Sequence, residues 1–182
     1  MMLRNIIDNN LTDKNTMHSY IDTYQELFEP KKDTATNVLE IGIYRGGSIK
    51  LLQEYFTNAT VWALDHDPDH IPEFIYNLPR VNVVFGDAYT ENLVNNRLIE
   101  RVYDIIIEDG AHTLDGVKFV AEHYAKLLAP GGVLVIEDVQ DMSWIDIMRN
   151  LLPENLRDKS YVVDNRNIKG RYDDVLFIVK NE

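Results

Sequence analysis

Charged side chains crowd the ends of two apolar runs in the sequence. In "YDIIIEDGAH", residues 103–112, an apolar run leads into Asp109 and His112, and in "VLVIED", residues 133–138, a similar run ends at Glu137 and Asp138. If these runs are neighbouring strands of a parallel sheet, their ends face one cleft. Unshielded carboxylates there repel one another, whereas a divalent cation stabilises them as anions. We therefore predict a metal site at Asp109, Glu137 and Asp138, and oxygen ligands favour Mg²⁺ or Ca²⁺, with Mn²⁺ as an alternative.

The same acids have a plainer interpretation. Carboxylates at strand ends are often solvated loop residues, and Thr113 or Asp115 could simply start the next helix as an N-cap. Glu108 has no role in the predicted metal site. We expect its side chain to face solvent or to cap a neighbouring element.

Glycines and further acids follow the first three predicted strands. The turn "GIYRGGS" holds Gly42, Gly46 and Gly47, Asp65 ends the next strand, and "GDA" at 86–88 follows the third. Glycine permits positive φ and close approach of a ligand, and an acid about 20 residues beyond such a turn accepts hydrogen bonds from ribose hydroxyls. These features predict a nucleotide-type ligand, although any strand-to-helix turn can use glycines. The spacing is not G-x-G-x-x-G, which disfavours the alternative of a dehydrogenase.

Strand and helix patterns alternate along the chain and must position these residues. The apolar spacing predicts an amphipathic helix over residues 16–29 and a later helix over 116–129, which Pro130 and two glycines would end. The tail predicts two strands that form a hairpin. The pattern predicts an α/β fold with a mostly parallel sheet, helices on both faces and one antiparallel strand.

Composition limits the class of protein. The 182 residues carry a formal charge of −12 and include no cysteine, which excludes a disulfide framework and a thiolate metal site. The negative charge disfavours nucleic acid as a partner, and no run predicts a signal peptide or a membrane span. We expect one cytoplasmic domain over residues 1–182, with an N-terminal helical segment at 1–36 and the core at 37–182.

The segments "VLEIGIYRGGS", "ALDHD" and "GDA" resemble the motifs of the class I S-adenosylmethionine-dependent methyltransferases. The resemblance implies a Rossmann-like sheet of seven strands whose last is antiparallel. It also implies that the acids and glycines described above bind S-adenosylmethionine. The implied cofactor-binding residues are Glu40, Gly42, Tyr44, Gly46, Gly47, Ser48, Asp65, His66, Gly86, Asp87, Ala88 and Asp109.

Five segments together make the resemblance more specific, to one group of methyltransferases. "TDKNTMHSY", "NVLEIGIYRGGSIKL", "YFTNATVWALDHDP", "YDIIIEDGAHTLDG" and "LAPGGVLVIEDVQD" are similar, in this order, to macrocin- and mycinamicin-type sugar O-methyltransferases and their cephalosporin hydroxylase-like relatives. That family is Mg²⁺-dependent and methylates a sugar hydroxyl. Carried over by position, Asp109, Glu137 and Asp138 would bind the metal. His112 would act as general base and form the catalytic pair with Asp109.

We therefore expect a metal-assisted O-methyltransferase that acts on a sugar or a glycosylated small molecule. One alternative is a methyltransferase of the same fold that uses no metal and acts on a small molecule or on RNA. Another is a non-catalytic S-adenosylmethionine-binding protein. The expected partner is a small molecule, with no membrane partner, and a homo-oligomer is left open.

Overall fold

Seven strands form a single sheet in the computed structural model, which describes all 182 residues. The strands are β1 (Asn37–Ile41), β2 (Thr60–Asp65), β3 (Val81–Phe85), β4 (Tyr103–Glu108), β5 (Leu128–Ile136), β6 (Ser160–Asp164) and β7 (Val175–Lys180). Their order across the sheet is β3-β2-β1-β4-β5-β7-β6. All neighbours from β3 to β5 pair in parallel, whereas β7 is antiparallel to both β5 and β6. The predicted Rossmann-like class I methyltransferase fold, including the terminal hairpin, is confirmed.

Helices cover both faces of this sheet. The α-helices are α1 (Ile21–Phe28), α2 (Gly47–Tyr55), α3 (Glu91–Leu93), α4 (Leu114–Phe119), α5 (Trp144–Leu151), α6 (Glu154–Arg157) and α7 (Arg166–Lys169). Two of them continue as π-helical turns, α3 through Val94–Leu98 and α4 through Val120–Tyr124. No helix is both long enough and apolar enough to cross a membrane.

Two hydrophobic cores lie on opposite faces of the sheet. One contains Leu39 and Ile41 of β1 with residues of α4 and α5, and the other contains Val38 with residues of α1 and α2. Because side chains alternate along a strand, successive residues at a strand end point to opposite faces. This alternation places Glu40 on the face covered by α1, and Glu108 on the opposite face.

The first helix begins later than predicted. Helix α1 starts at Ile21, and most of residues 8–19 form turns instead of a helix. These turns are fixed by distant partners: Lys169 Nζ donates to the carbonyls of Asn15 and His18, and the Ser19 N–H donates to Asp174 Oδ1. The periodicity of local sequence could not reveal bonds to residues about 150 positions away.

The predicted stop of the long helix at Pro130 is also wrong. The helical turns end at Leu127, and Pro130 and Gly131 lie inside β5. The pairing of β4 with β5 shifts register between Tyr103 and Ile105. This irregularity accommodates Pro130, which has no N–H to offer to the ladder.

Candidate active site

An open cleft of about 510 Å³ lies at the carboxyl ends of β1 to β4. In an α/β sheet this is the edge at which ligands bind. Eight of the predicted cofactor-binding residues line the cleft: Gly42, Tyr44, Asp65, His66, Gly86, Asp87, Ala88 and Asp109. Tyr89, Gly110 and Ala111 line it as well, although the sequence did not single them out.

Backbone amides hold two of the three acids that line the cleft, Asp65 and Asp87. Asp65 Oδ2 accepts from the Ile43 N–H at 2.9 Å, and its Oδ1 accepts from the Asp67 N–H at 3.0 Å. Asp87 Oδ1 accepts from the Tyr89 N–H at 2.9 Å. Each bond joins one of these two acids to a nearby loop, so Asp65 and Asp87 are oriented without any lysine or arginine.

Four predicted cofactor-binding residues do not line the cleft: Glu40, Gly46, Gly47 and Ser48. The two glycines are needed for contacts within the chain. A Cβ on Gly46, which has φ +77°, would collide with the Ile75 side chain, and a Cβ on Gly47 would collide with the backbone of Leu11. Gly46 and Gly47 therefore allow two segments of the protein to pack closely together. The sequence analysis had instead predicted that they allow close approach of a ligand.

Lys14 lies at the centre of three carboxylates beside the cleft. Its Nζ lies 2.6 Å from Asp109 Oδ2, 2.7 Å from both oxygens of Glu137 and 3.5 Å from Glu40 Oε1. The Tyr24 hydroxyl also donates to Glu137. We call Lys14, Glu40, Glu137 and Tyr24, together with Oδ2 of Asp109, the inner group.

Burial governs the ionisation of the inner group. Burial raises the pKa of Glu40 to about 7, with the Lys14 ammonium opposing the rise and Asp109 adding to it. Burial and the Asp109 carboxylate also hold the pKa of Glu137 well above its usual range, against the effect of Lys14. For Lys14 burial alone lowers the pKa, but Asp109, Glu137 and Glu40 outweigh it, so the pKa stays well above its ordinary value. The ammonium is therefore charged at neutral pH.

A second, more open set of side chains lies next to the inner group. His112 Nε2 lies 3.7 Å from both Asp109 Oδ1 and Asp138 Oδ2. These side chains remain accessible, at 32% exposure for His112, 27% for Asp109 and 14% for Asp138, against 1% for Lys14. We call Asp109 Oδ1, His112 and Asp138 the outer group.

Both His112 and Asp138 have positive φ, at +48° and +53°. This left-handed conformation is uncommon for residues other than glycine and is typical of functional loops. Asp138 is held there by the Tyr20 hydroxyl, which donates to its Oδ1 at 2.5 Å, and by His18, whose Nδ1 lies 3.2 Å from the same oxygen. Burial and Asp109 raise the pKa of Asp138, while Tyr20, His18 and His112 oppose the rise.

The predicted metal ligands are divided between the two groups. Asp109 belongs to both, Glu137 lies in the inner group and Asp138 in the outer group. Two sets of three donors have atoms within 4.8 Å of one another: Asp109 with His112 and Asp138, and Glu40 with Asp109 and Glu137. In the second set, Lys14 Nζ is bonded to both Asp109 and Glu137. The role of each residue stays a prediction.

The sequence did not identify the four N-terminal side chains at this site. The sequence marks Lys14 and His18 only as part of the segment "TDKNTMHSY", and Tyr20 and Tyr24 fit the apolar stripe of the helix predicted over residues 16–29. Lys14, His18, Tyr20 and Tyr24 are all buried, whereas six of the seven residues between them are exposed or half-buried.

The expectation that Glu108 faces solvent is wrong. Its side chain is buried on the face opposite Glu40, where Oε1 accepts from the Tyr89 hydroxyl at 2.7 Å. The same hydroxyl accepts from the Ala111 N–H at 2.7 Å. Burial raises the pKa of Glu108 to about 7, and the Tyr89 bond opposes the rise. Glu108 and Tyr89 thus support the loop that leads from Asp109 to His112.

Comparison with known proteins gives a consistent result. Residues 39–139 match the family described as "Methyltransferase domain". The chain is 31% identical over 143 residues to 8-demethyl-8-alpha-L-rhamnosyl tetracenomycin-C 2'-O-methyltransferase of Streptomyces olivaceus, across 73% of this chain and 36% of that protein. It is 28% identical to demethylmacrocin O-methyltransferase of Streptomyces fradiae, across 71% of this chain and 34% of that protein.

A solved structure shares the fold across the whole chain. The MycE methyltransferase of the mycinamycin pathway, in complex with Mg and SAH, superposes with a TM-score of 0.73 at 22% identity. The match covers 100% of this chain and 55% of MycE. The chain spans about a third of the length of the curated relatives it matches. The predicted organisation of residues 1–182 as one domain therefore stays a prediction.

Proposed function

The chain belongs to the methyltransferase domain family, and on that basis we propose that it transfers a methyl group from S-adenosylmethionine to a hydroxyl group of a sugar or glycosylated small molecule. The observation that carries the proposal is the outer group, an imidazole between two carboxylates at the rim of a cleft suited to a nucleoside. The two curated relatives named above are O-methyltransferases, and their names refer to a rhamnosyl tetracenomycin and to demethylmacrocin.

The cofactor would occupy the cleft. Asp65 lies where the family places the acid that accepts hydrogen bonds from ribose hydroxyls, and its carboxylate is already oriented by two backbone amides. Asp87 and Ala88 would contact the adenine. Asp109 lines the cleft and also belongs to the outer group, so the methyl group would lie next to His112.

Asp109, Glu137 and Asp138 would hold a divalent cation. We propose Mg²⁺, because the MycE structures contain Mg and carboxylate oxygens suit that ion. Nothing found for the relatives supports the alternatives Mn²⁺ and Ca²⁺. When bound, the ion would lower the pKa of an acceptor hydroxyl and hold it in place.

His112 would act as the general base. As the acceptor oxygen attacks the methyl carbon, the carbon–sulfur bond breaks and the sulfonium becomes a neutral thioether. The hydroxyl proton passes to His112 Nε2. His112 Nε2 lies 3.7 Å from one carboxylate oxygen of Asp109 and one of Asp138.

A methyl-transfer assay tests the proposal. The purified chain, freed of metal by a chelator, is incubated with S-adenosylmethionine carrying a radiolabelled methyl group and a panel of rhamnosyl and other glycosides. We expect label on a glycoside hydroxyl only when Mg²⁺ is restored. Full transfer in chelator would support the metal-independent alternative, and label on RNA instead of on glycosides would support an RNA methyltransferase. Cofactor binding without transfer to any acceptor would favour a non-catalytic binding protein.

A further inference from the structure

Tyr89 lines the cleft, and its hydroxyl contacts the loop at residues 109–112. We infer that Tyr89 is a positioning residue through which an occupied cleft fixes this loop: the bound cofactor restricts the tyrosine ring, and the hydroxyl of the ring holds the main chain next to His112. Because the cofactor and the role of His112 belong to the proposed function, this inference rests on that function.

The Tyr89 hydroxyl bridges β4 and the loop that follows it. It donates to Glu108 Oε1 at 2.7 Å and accepts from the Ala111 N–H at 2.7 Å. Glu108 is 1% exposed and is the last residue of β4, so it gives the hydroxyl a fixed partner. The bond to Ala111 is made one residue before His112, where it can set the path of the loop.

The loop at residues 109–112 packs directly against Tyr89. A Cβ on Gly110 would lie 2.4 Å from the Tyr89 hydroxyl oxygen, which is closer than two such atoms can approach. A Cβ on Gly116, in the first turn of α4, would lie 3.2 Å from Tyr89 Cε1. Because close-packed groups transmit shifts to their neighbours, movement of the tyrosine ring would displace the loop and the start of the helix.

Tyr89 also belongs to the part of the cleft that would hold the adenine. It directly follows Asp87 and Ala88, and its N–H donates to Asp87 Oδ1 at 2.9 Å. The residue is half-buried and lines the cleft, so part of it is available to a ligand. A ligand that packs on the ring removes freedom that the empty cleft allows. The bonds of the hydroxyl should then open less often.

The placement of His112 depends on this loop. Its Nδ1 is buried and makes no hydrogen bond, so no partner orients the imidazole from that side. A general base must lie within hydrogen-bonding reach of the proton that it removes, and a misplacement of about 1 Å can lower the rate about 10²-fold. Loss of the Tyr89 hydroxyl is therefore expected to slow methyl transfer even though the ring still lines the cleft.

Tyr89→Phe tests the inference because it keeps the ring and removes only the hydroxyl. The matched control is Tyr103→Phe, since Tyr103 is buried in the same strand as Glu108 and its hydroxyl makes no hydrogen bond. Hydrogen exchange of the Ala111 amide is followed by NMR with and without S-adenosylhomocysteine. Tyr89→Phe is expected to raise the exchange rate about 3- to 10-fold, whereas the control leaves it unchanged. S-adenosylhomocysteine should slow exchange in the wild type and the control, but not in Tyr89→Phe.

Kinetics supply a second measurement. With a glycoside that accepts label in the methyl-transfer assay, kcat of Tyr89→Phe should fall about 10- to 100-fold, while the acceptor KM and the Kd for S-adenosylhomocysteine stay within about twofold of the wild-type values. A purely structural role would reduce the amount of folded protein and leave kcat per folded chain unchanged.

The exchange data separate this inference from the proposed function. If Ala111 exchanges equally fast in Tyr89→Phe and the wild type, or if S-adenosylhomocysteine slows it by the same factor in both, the inference is overturned whatever the activity. A loss of cofactor affinity as large as the loss of kcat would also overturn it, because Tyr89 would then be a binding residue.

If the wild type methylates no acceptor but shows the expected exchange pattern, the proposed function fails and the link between cleft and loop holds. If S-adenosylhomocysteine does not bind the wild type, both fail. Should Tyr89→Phe not fold, Glu108→Met removes the acceptor of the hydroxyl and is expected to raise the Ala111 exchange rate. An unchanged rate in that variant would overturn the inference.

Discussion

The cleft and the acid-rich groups beside it lie at the same edge of the sheet but balance their negative charge in different ways. In the cleft, Asp65 and Asp87 accept hydrogen bonds from nearby backbone amides. In the inner and outer groups, Asp109, Glu137 and Asp138 rely on Lys14, Tyr24, Tyr20 and His18, which approach from the N-terminal segment.

The cleft is a site formed by local segments of the chain, whereas the acid-rich groups are assembled from distant segments. The cleft takes its shape from loops that directly follow their strands. The acid-rich groups form only when the chain brings residues 95 and 123 positions apart into contact. We therefore expect changes in the cleft to affect cofactor affinity, and changes in the acid-rich groups to affect catalysis or folding.

The largest effect is expected for His112→Asn. Asparagine tolerates the left-handed backbone better than alanine, so the loop should keep its conformation. Loss of the general base should lower kcat by about 10²- to 10⁴-fold, while the Kd for S-adenosylhomocysteine stays unchanged. Steady-state kinetics and calorimetry measure the two quantities. If the variant keeps a near-normal kcat, His112 is not the general base.

Lys14→Met should have the next largest effect, on stability. Removal of one partner from a buried ion pair typically costs about 3–5 kcal/mol, because the remaining charges are left uncompensated. The matched control is Lys50→Met, since Lys50 lies 3.9 Å from Glu54 in an exposed pair. That change should cost less than about 1 kcal/mol. Equal losses in urea denaturation would mean that the inner group does not depend on its lysine.

Glu108→Gln tests a buried acid that has no lysine partner. Burial raises the pKa of Glu108 to about 7, from 4.5 in the unfolded chain. Between these values the folded chain holds more protons than the unfolded chain, so the free energy of unfolding falls as pH rises. Because glutamine does not titrate, the variant lacks this decrease in the free energy of unfolding. From pH 5 to pH 8 the variant should gain on the order of 2 kcal/mol relative to the wild type.

Denaturant titrations at the two pH values measure that difference. The other buried acids contribute equally to both proteins and cancel in the comparison. Parallel pH dependence in the wild type and the variant would show that Glu108 keeps the same pKa in the folded and unfolded chains.

Asp65→Asn should have the smallest effect, confined to the cofactor. Asparagine keeps the size and one accepting oxygen but removes the charge that strengthens bonds to ribose hydroxyls. Affinity for S-adenosylhomocysteine should fall by about tenfold, with kcat at saturating cofactor nearly unchanged. Asp69→Asn, on an exposed loop outside the cleft, is the control and should bind normally. An equal loss of affinity in both variants would mean that Asp65 does not bind the ribose.

The sequence predicted the sheet and the cleft well because both depend on local signals. Apolar runs mark the buried strands, and Asp65 and Asp87 directly follow their own strands. The parallel order then brings these strand ends to one edge. The same rule correctly brought Asp109 and His112 together with Glu137 and Asp138.

The contribution of the N-terminal residues to the acid-rich groups could not be predicted in the same way. Lys14 reaches its partners only through long-range packing, and the turns around it follow no periodic pattern. Similarly, the burial of Glu108 follows from the strand alternation that places it opposite Glu40, but its partner Tyr89 lies on a loop 19 positions earlier. A single sequence contains no direct record of such pairs.

The close approach at Gly42 limits how the protein could be redesigned. Gly42 has φ +95°, and a Cβ there would collide with the backbone carbonyl of Asp109, while the Asp109 N–H donates to the Ile41 carbonyl at 2.9 Å. The glycine turn and the loop that begins at Asp109 are therefore packed together through their main chains. Substitutions at Gly42 would displace Asp109, so changes meant to alter the cleft alone should begin at Asp65 or Asp87.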